Sequence, residues 1–297
     1  MAGLRALAPG AYHWQSGSNA GILVQDGQAL IIDAGLDRSA AADIAQAVGK
    51  LGARPTALLI THAHADHFGG ASFLARRAGD IPVLASPFEA TIVRHPLWEP
   101  LYLYSGAAPI EELQHKFTLA KPCPVAQEVA PGTLELGPFR LEVIPLYGHA
   151  VEQVGVVWGD VCYTADAFFP PDLVQKHGIP FCVDLDAALE SLARLESAAW
   201  RWFAPGHGPA VQSPQEAIAA NRERLLRIRE LCLEALREPA EPAHILQYAA
   251  GKLGLQITQP VSYLLAQTTV LAALTSCQRA GLAAVEVVDN RLVWHRE

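Results

Sequence analysis

The chain has 297 residues, 51% of them hydrophobic, 18% charged and 7% aromatic, with 30 acidic against 22 basic side chains and a net charge of -8. This apolar content excludes a disordered chain, and 23 Gly with 21 Pro exclude collagenous and low-complexity classes; the length suits one large domain or two smaller ones. The acidity argues against a protein whose main task is to coat phosphate backbones, because such binding rests on counterion release by Lys and Arg.

Residues 1–14 lack the long apolar run of a secretory signal, and no later stretch offers about 18 consecutive apolar residues. A cytoplasmic protein that does not span membranes is therefore expected. Two apolar runs, Gly21 to Val24 and Ala29 to Asp33, flank Gln25-Asp26-Gly27-Gln28, a hairpin signal. Ile44, Ala47, Val48 and Leu51 then recur at helical spacing, with Gly52 where a C-terminal cap would sit. Ala57-Leu58-Leu59-Ile60 reads as a short buried strand that runs directly into Thr61-His62-Ala63-His64-Ala65-Asp66-His67, followed by Gly-Gly and the helix-like ASFLARRAG.

Residues of about 87–121 lack a clean period and carry Trp98, Tyr102, Tyr104 and several prolines, which reads as an inserted lid or cap. The strand pattern resumes at Phe139 to Leu146, Val154 to Trp158 and Val161 to Thr164, and closes at Trp202-Phe203-Ala204-Pro205-Gly206-His207-Gly208. Strands, a helix and polar residues at strand ends thus occur twice. A boundary is expected near Pro209, giving a catalytic part of 1–209 and a helical part of 210–297. Ser213-Pro214-Gln215-Glu216 reads as a capping box, and Ile218, Leu225, Ile228 and Cys232 hold one face of a long helix. Two shorter helical patterns follow, and the chain ends in an alternating segment around Asp289-Asn290, a hairpin. Helices followed by a hairpin resemble a winged-helix module.

The five cysteines are widely spaced without a CxxC, so they read as buried reduced thiols and suggest neither a disulfide framework nor a cysteine zinc site. The histidines carry the chemistry. Neutral imidazole and carboxylate suit zinc, and the alternation His62-x-His64 lets two rings on one loop face one ion, while Asp66 and His67 could face a second. Ionisable groups gathered in this way without a metal would need mutual compensation, which makes a purely structural role a poor alternative.

His62-x-His64-x-Asp66-His67, then His149, then Asp166 in Tyr-Thr-Ala-Asp, then His207 in Pro-Gly-His-Gly together resemble the metallo-β-lactamase-fold hydrolases over roughly residues 10–209. The resemblance implies an α/β, four-layer αβ/βα sandwich with a dinuclear site at the sheet edge. It implies that His62, His64 and His149 bind one divalent ion, that Asp66, His67 and His207 bind the other, and that Asp166 bridges them. Asp33 matches the family's structural aspartate, accepting backbone N–H bonds. Zinc is the default, although iron and manganese accept the same donors. Gly148-His149-Ala150 departs from the Gly-His-Thr of many members, which leaves the ligand but removes a hydroxyl. His64 stands where oxygen-reducing relatives carry Glu.

The implied activity is attack by a hydroxide from the dinuclear site on an ester, thioester, lactone or related small-molecule bond, with Asp66 orienting that hydroxide or shuttling its proton. Lys176 and His177, read as lying in a loop, could reach an anionic substrate group, and Trp98 and Tyr102 either pack the insert's own core or line a substrate channel. An endoribonuclease or phosphodiesterase of the lactamase-β-like group is the runner-up, because a winged-helix-like tail can face nucleic acid. Yet residues 210–297 carry nine basic and nine acidic side chains, and Arg222, Arg224, Arg227 and Arg229 are interleaved with Glu223 and Glu230. A mononuclear iron sulfur dioxygenase is a further alternative, to which the full ligand set is less suited. The tail's apolar stripe either packs on the catalytic part or forms a homodimer interface.

Overall fold

The computed structural model describes residues 3–297. Strands β1 (Gly3–Ala8), β2 (Ala11–Gln15), β3 (Ala20–Gln25) and β4 (Gln28–Ile32) form an antiparallel meander. The Asp26-Gly27 turn joins β3 to β4 with both central residues left-handed, at φ 51° and 70°, the twist that a two-residue hairpin requires. From β4 the chain makes three parallel crossovers. Helix α1 (Arg38–Lys50) leads to β5 (Arg54–Leu59); α2 (Ala65–Phe68) and α3 (Ala71–Arg77) lead to β6 (Val83–Ala85); α4 (Pro87–Arg94), α5 (Trp98–Leu103) and a 3-10 turn at Glu111–Leu113 lead to β7 (Gln127–Glu128). The aperiodic stretch of 87–121 is thus most of a crossover.

A second sheet repeats the plan on a smaller scale. Strands β8 (Gly132–Leu136), β9 (Phe139–Pro145), β10 (Val154–Trp158) and β11 (Val161–Ala165) are antiparallel neighbours; α6 (Pro171–His177) and α7 (Leu185–Ser197) then cross to β12 (Trp202–Pro205), parallel to β11. Lys176 and His177 lie in the last turn of α6, not in a loop: Pro171 at its first position starts the helix and Gly178, at φ 68°, ends it.

The continuous apolar runs of these strands follow from burial on both faces. Leu23, Leu30, Ile32 and Leu59 face Phe139, Leu141, Val143 and Val156 between the sheets. Their neighbours Ile22, Ile31 and Leu58 point outward onto Ile44, Val48 and Leu74 of α1 and α3. Outside the second sheet, Ile144, Val157, Cys162 and Phe203 pack on Leu185, Leu192 and Leu195 of α7. The layers run helix, sheet, sheet, helix, as expected.

Beyond Pro209 come α8 (Gln215–Ala235), α9 (Pro242–Lys252), α10 (Pro260–Arg279) and the hairpin of β13 (Ala283–Val288) and β14 (Arg291–Arg296). The expected capping box at Ser213 does not close: no side chain caps α8, Pro214 is itself helical, and exposed Ser213 leaves the first amides to solvent. Ile218, Leu225, Ile228 and Cys232 of α8, with Val270 and Leu274 of α10, belong to the same apolar cluster as the outer face of the second sheet. The stripe is consumed inside the chain, so a homodimer would have to use another surface. All five cysteines are free and buried, and no helix among the described residues is long and apolar enough to cross a membrane.

Candidate metal centre

Five segments end at one edge of the paired sheets: the loop after β5, the short helix α2, the loop after β9, and the residues following β11 and β12. They bring together all seven side chains singled out from sequence. The donor atoms of His62, His64 and His149 lie within 4.8 Å of one another, as do those of His62, His67 and Asp166, and those of Asp66, His67 and His207. Asp166 is central: its Oδ2 lies 3.5 Å from His149 Nε2 and 3.4 Å from His207 Nε2, and its Oδ1 lies 3.4 Å from His67 Nε2. Asp66 Oδ2 lies 3.2 Å from His207 Nε2.

The outer partners explain which ring nitrogen is left for this cluster. His67 Nδ1 lies 2.9 Å from Asp33 Oδ2, and His62 Nδ1 lies 3.1 Å from Thr61 Oγ1, which itself donates to Asp33 Oδ2 at 2.8 Å. His149 Nδ1 is 3.1 Å from the Phe181 carbonyl and His207 Nδ1 is 2.7 Å from that of Gly17. An N–H donated outward leaves the Nε2 lone pair facing in. Asp33 also accepts the Thr61 amide at 2.8 Å, the anchoring role read from its position.

Three buried atoms in the middle, His62 Nε2, His67 Nε2 and Asp166 Oδ1, have no hydrogen-bond partner among the described residues, the nearest approach being the 3.4 Å between the last two. Buried polar atoms are rarely left so, and three converging orphans, two nitrogens and one oxygen, fit divalent cations. The electrostatics agree. Burial, then the neighbouring rings, holds His62 well below the usual imidazole range, and burial and His149 hold His64 down to about 3. Burial would raise Asp66, but His67 and His207 outweigh it and bring its pKa to about 2. Neutral imidazole and ionised carboxylate are the ligand forms.

His67 and His207 go the other way. Burial alone would lower them, yet the Asp166 carboxylate leads the contacts that raise His67 well above its ordinary value and His207 to about 10. Both rings thus favour their protonated form in the metal-free fold, and because a ligating imidazole is neutral, metal uptake is expected to release protons near neutral pH. Calorimetric titration of metal into chelator-treated protein, in buffers of different ionisation enthalpy, is expected to show that release. The stability that the His67 and His207 ion pairs contribute is present below the ordinary imidazole pKa of 6.5 and is lost as pH rises toward about 10, so the melting temperature of metal-free protein is expected to fall above neutrality; His62 and His64, held low, work the other way in acid.

A family model described as the metallo-beta-lactamase superfamily matches residues 14–218, which holds every residue of this cluster. The chain belongs to that superfamily. It is 31% identical over 162 residues to a probable metallo-hydrolase, YqgX, of Bacillus subtilis, covering 54% of this chain and 68% of that protein. It is 26% identical over 236 residues to an atrochrysone carboxyl ACP thioesterase of Aspergillus fumigatus, covering 77% of this chain and 62% of the thioesterase. In structure it is similar to a beta-lactamase domain protein from Burkholderia ambifaria, with a TM-score of 0.74 at 22% identity over 99% of this chain and 93% of the other. A metallo-beta-lactamase family protein from Thermus thermophilus superposes with a TM-score of 0.73 at 19% identity, over 98% and 100% of the two chains. These two likenesses show the fold.

In this superfamily member the backbone is shaped to the cluster in ways that the motifs did not announce. Ala165 takes φ 48°, an uncommon conformation for a residue with a Cβ, where the chain turns out of β11 to present Asp166. Gly206 must be glycine: a Cβ there would overlap Asp166 Oδ1 and lie 2.7 Å from His67 Cε1. Gly206→Ala is expected to displace Asp166 and lower bound metal at least about tenfold, as judged by elemental analysis of folded protein. Glu89 and Asn19 were missed altogether. The Glu89 carboxylate accepts the Ala63 amide at 2.8 Å and the Glu152 amide at 2.9 Å, tying the His62-His64 loop to the His149 loop. Asn19 Nδ2 donates to the Pro205 and Gly208 carbonyls at 2.9 and 2.7 Å, holding the segment that carries His207.

A cavity of about 780 Å³ opens over the cluster. His64, Asp66, His149, Asp166 and His207 form its floor, Lys176 and His177 reach its rim from α6, and Glu99, unmarked in the sequence, lines it. Trp98 and Tyr102 are not among the residues that line it: Trp98 on α5 is half exposed, and Tyr102, one helical turn after Glu99, has its hydroxyl pKa pushed well up by burial and then by the Glu99 and Glu89 carboxylates beside it. At helical spacing Trp98 points about 100° away from Glu99, whereas Tyr102, three residues on, shares the Glu99 face.

Proposed function

We propose that the protein hydrolyses an ester, thioester or lactone of a small molecule at a dinuclear centre, with His62, His64 and His149 at one cation, Asp66, His67 and His207 at the other, and Asp166 between them. The observation that carries this reading is the convergence of three unpartnered buried donor atoms beneath an open cavity. Two divalent cations, zinc by the donor set, would bring a water's pKa toward neutrality and stabilise developing negative charge. Asp66, on the cavity floor and ionised, is placed to take a proton on Oδ2, and Phe169 and Phe181 line the same cavity with apolar surface. The likeness to a thioesterase supports an acyl substrate. Buried free cysteines favour a reducing, cytoplasmic setting.

A phosphodiester chain is a poorer fit. Among the described residues that line the cavity, Lys176 is the sole Lys or Arg, and tracking a nucleic-acid backbone takes several cations. The presence of Asp66, His67 and His207 around a second position likewise favours a dinuclear hydrolase over a mononuclear iron dioxygenase. The test is elemental analysis of protein purified without chelator, followed by turnover of thioesters, esters and lactones beside single-stranded RNA at two salt concentrations and a persulfide with oxygen monitored. About two metals per chain and acyl hydrolysis are expected. RNA cleavage without acyl hydrolysis, or one iron per chain with oxygen uptake, overturns the proposal.

A further inference from the structure

The cavity has two chemical halves. Its floor is the charged cluster, whereas its C-terminal wall comes from Leu255 and Ile257 on the segment between α9 and α10 and from Leu265 and Ala266 on α10, with Phe169 and Ile179 lining the same cavity. Leu255, Ile257 and Leu265 are only half-buried, so each shows apolar surface to the cavity.

This wall is built into the fold. Gly178, left-handed at φ 68°, is the place where Leu255 seats: a Cβ on Gly178 would lie 2.5 Å from its side chain. Arg224 Nη1 donates to the Gly178 carbonyl at 2.8 Å. On the other side Thr269 Oγ1 of α10 donates to the Pro180 carbonyl at 2.9 Å and accepts the Cys182 amide at 3.0 Å. Helix α10 also touches α5 and the 3-10 turn of the crossover, which closes the space from above.

A small acetyl group would leave most of such a volume wet, since cavities of roughly 300–1,000 Å³ take ligands of drug size. Building on the hydrolase reading above, we propose that the C-terminal wall is a specificity site for an apolar acyl group, so that the substrate is a thioester or ester of a medium-chain or comparably bulky hydrophobic acid. The carbonyl then lies over the floor and the acyl group extends toward Leu255, Ile257 and Leu265.

The experiment uses the full metal-loaded chain and N-acetylcysteamine thioesters from acetyl to decanoyl. The value of kcat/KM is expected to rise about fourfold per added methylene until the wall is filled, the increment that burial of one CH2 supports. Ile257→Asn and Leu265→Asn, at half-buried positions, are expected to flatten that rise mainly through KM while metal content stays unchanged. Ser262→Trp, from an exposed serine on the same wall, should move the optimum to shorter chains. A second readout needs no turnover: octanoate but not acetate should raise the melting temperature of chelator-treated protein, and Ile257→Asn should abolish that shift.

Thioester hydrolysis with equal kcat/KM across the series, or with a slope that the wall variants leave intact, overturns this inference and spares the hydrolase reading. An octanoate shift lost in Ile257→Asn, without hydrolysis of any thioester, ester or lactone, overturns the hydrolase reading and supports the wall.

Discussion

Asp166→Asn is expected to abolish measurable turnover and to strip most of the bound metal, a loss larger than the roughly 10–100-fold typical of an outer partner. The side chain meets three histidines at once, with Oδ2 at 3.4–3.5 Å from His149 and His207 and Oδ1 at 3.4 Å from His67. Asparagine keeps the shape and removes the charge, so loss through misfolding is separable from loss of ligation by melting and elemental analysis. The same carboxylate leads the contacts that raise His67 and His207 in the metal-free fold. The variant should therefore release fewer protons on metal uptake as well as binding less of it. His62→Ala tests the other side of the cluster, where the buried Nε2 has no hydrogen-bond partner among the described residues. Turnover preserved in either variant on a verified substrate removes the dinuclear mechanism.

Ending the chain at Ser213 is expected to yield insoluble or molten protein instead of a smaller working enzyme. Such a cut removes α8, α9, α10 and the terminal hairpin, and with them Ile218, Leu225, Ile228, Leu246, Val270 and Leu274, all buried in the cluster that covers the second sheet. At about 1.5–3 kcal/mol for each buried side chain, the loss is comparable with the roughly 5–15 kcal/mol that holds a typical domain folded. The cut also removes Thr269, which fixes the Pro180 to Cys182 backbone beside the Phe181 carbonyl that orients His149. Sedimentation and near-ultraviolet circular dichroism of the truncated chain provide the check; a soluble, cooperative, metal-binding product would show that residues 1–213 suffice.

The histidines were legible in the sequence because their signal is local: each stands at the end of an apolar run, beside a glycine or another ligand. The Asp26-Gly27 and Asp289-Asn290 hairpins were legible for the same reason, since each turn needs left-handed residues and has them. The supporting residues were not legible. Asn19 sits in a Ser-Gly-Ser-Asn turn that looks like any other, and its carbonyl partners lie 186 and 189 residues away. Glu89 and Glu99 fall in the aperiodic crossover, where nothing marks an acid as buried until the helices that bury it are in place. Trp98 and Tyr102 fall on the same segment, and without a period the sequence does not separate packing within the insert from lining a channel. Lys176 and His177 were placed in a loop because prolines bracket them, although Pro171 starts a helix as readily as it ends one.

The ligand loops divide unevenly between the two halves of the molecule: four of the seven side chains belong to the first sheet and three to the second. Neither half encloses a cation alone. At their buried faces the sheets are joined by hydrocarbon packing, but at this open rim a shared ion would act as a cross-brace between them. Metal retention thus becomes a gauge of how closely the halves are set. A slight loosening between the sheets, such as a smaller residue at Leu30 or Val156 would cause, should register as ion loss well before the chain unravels.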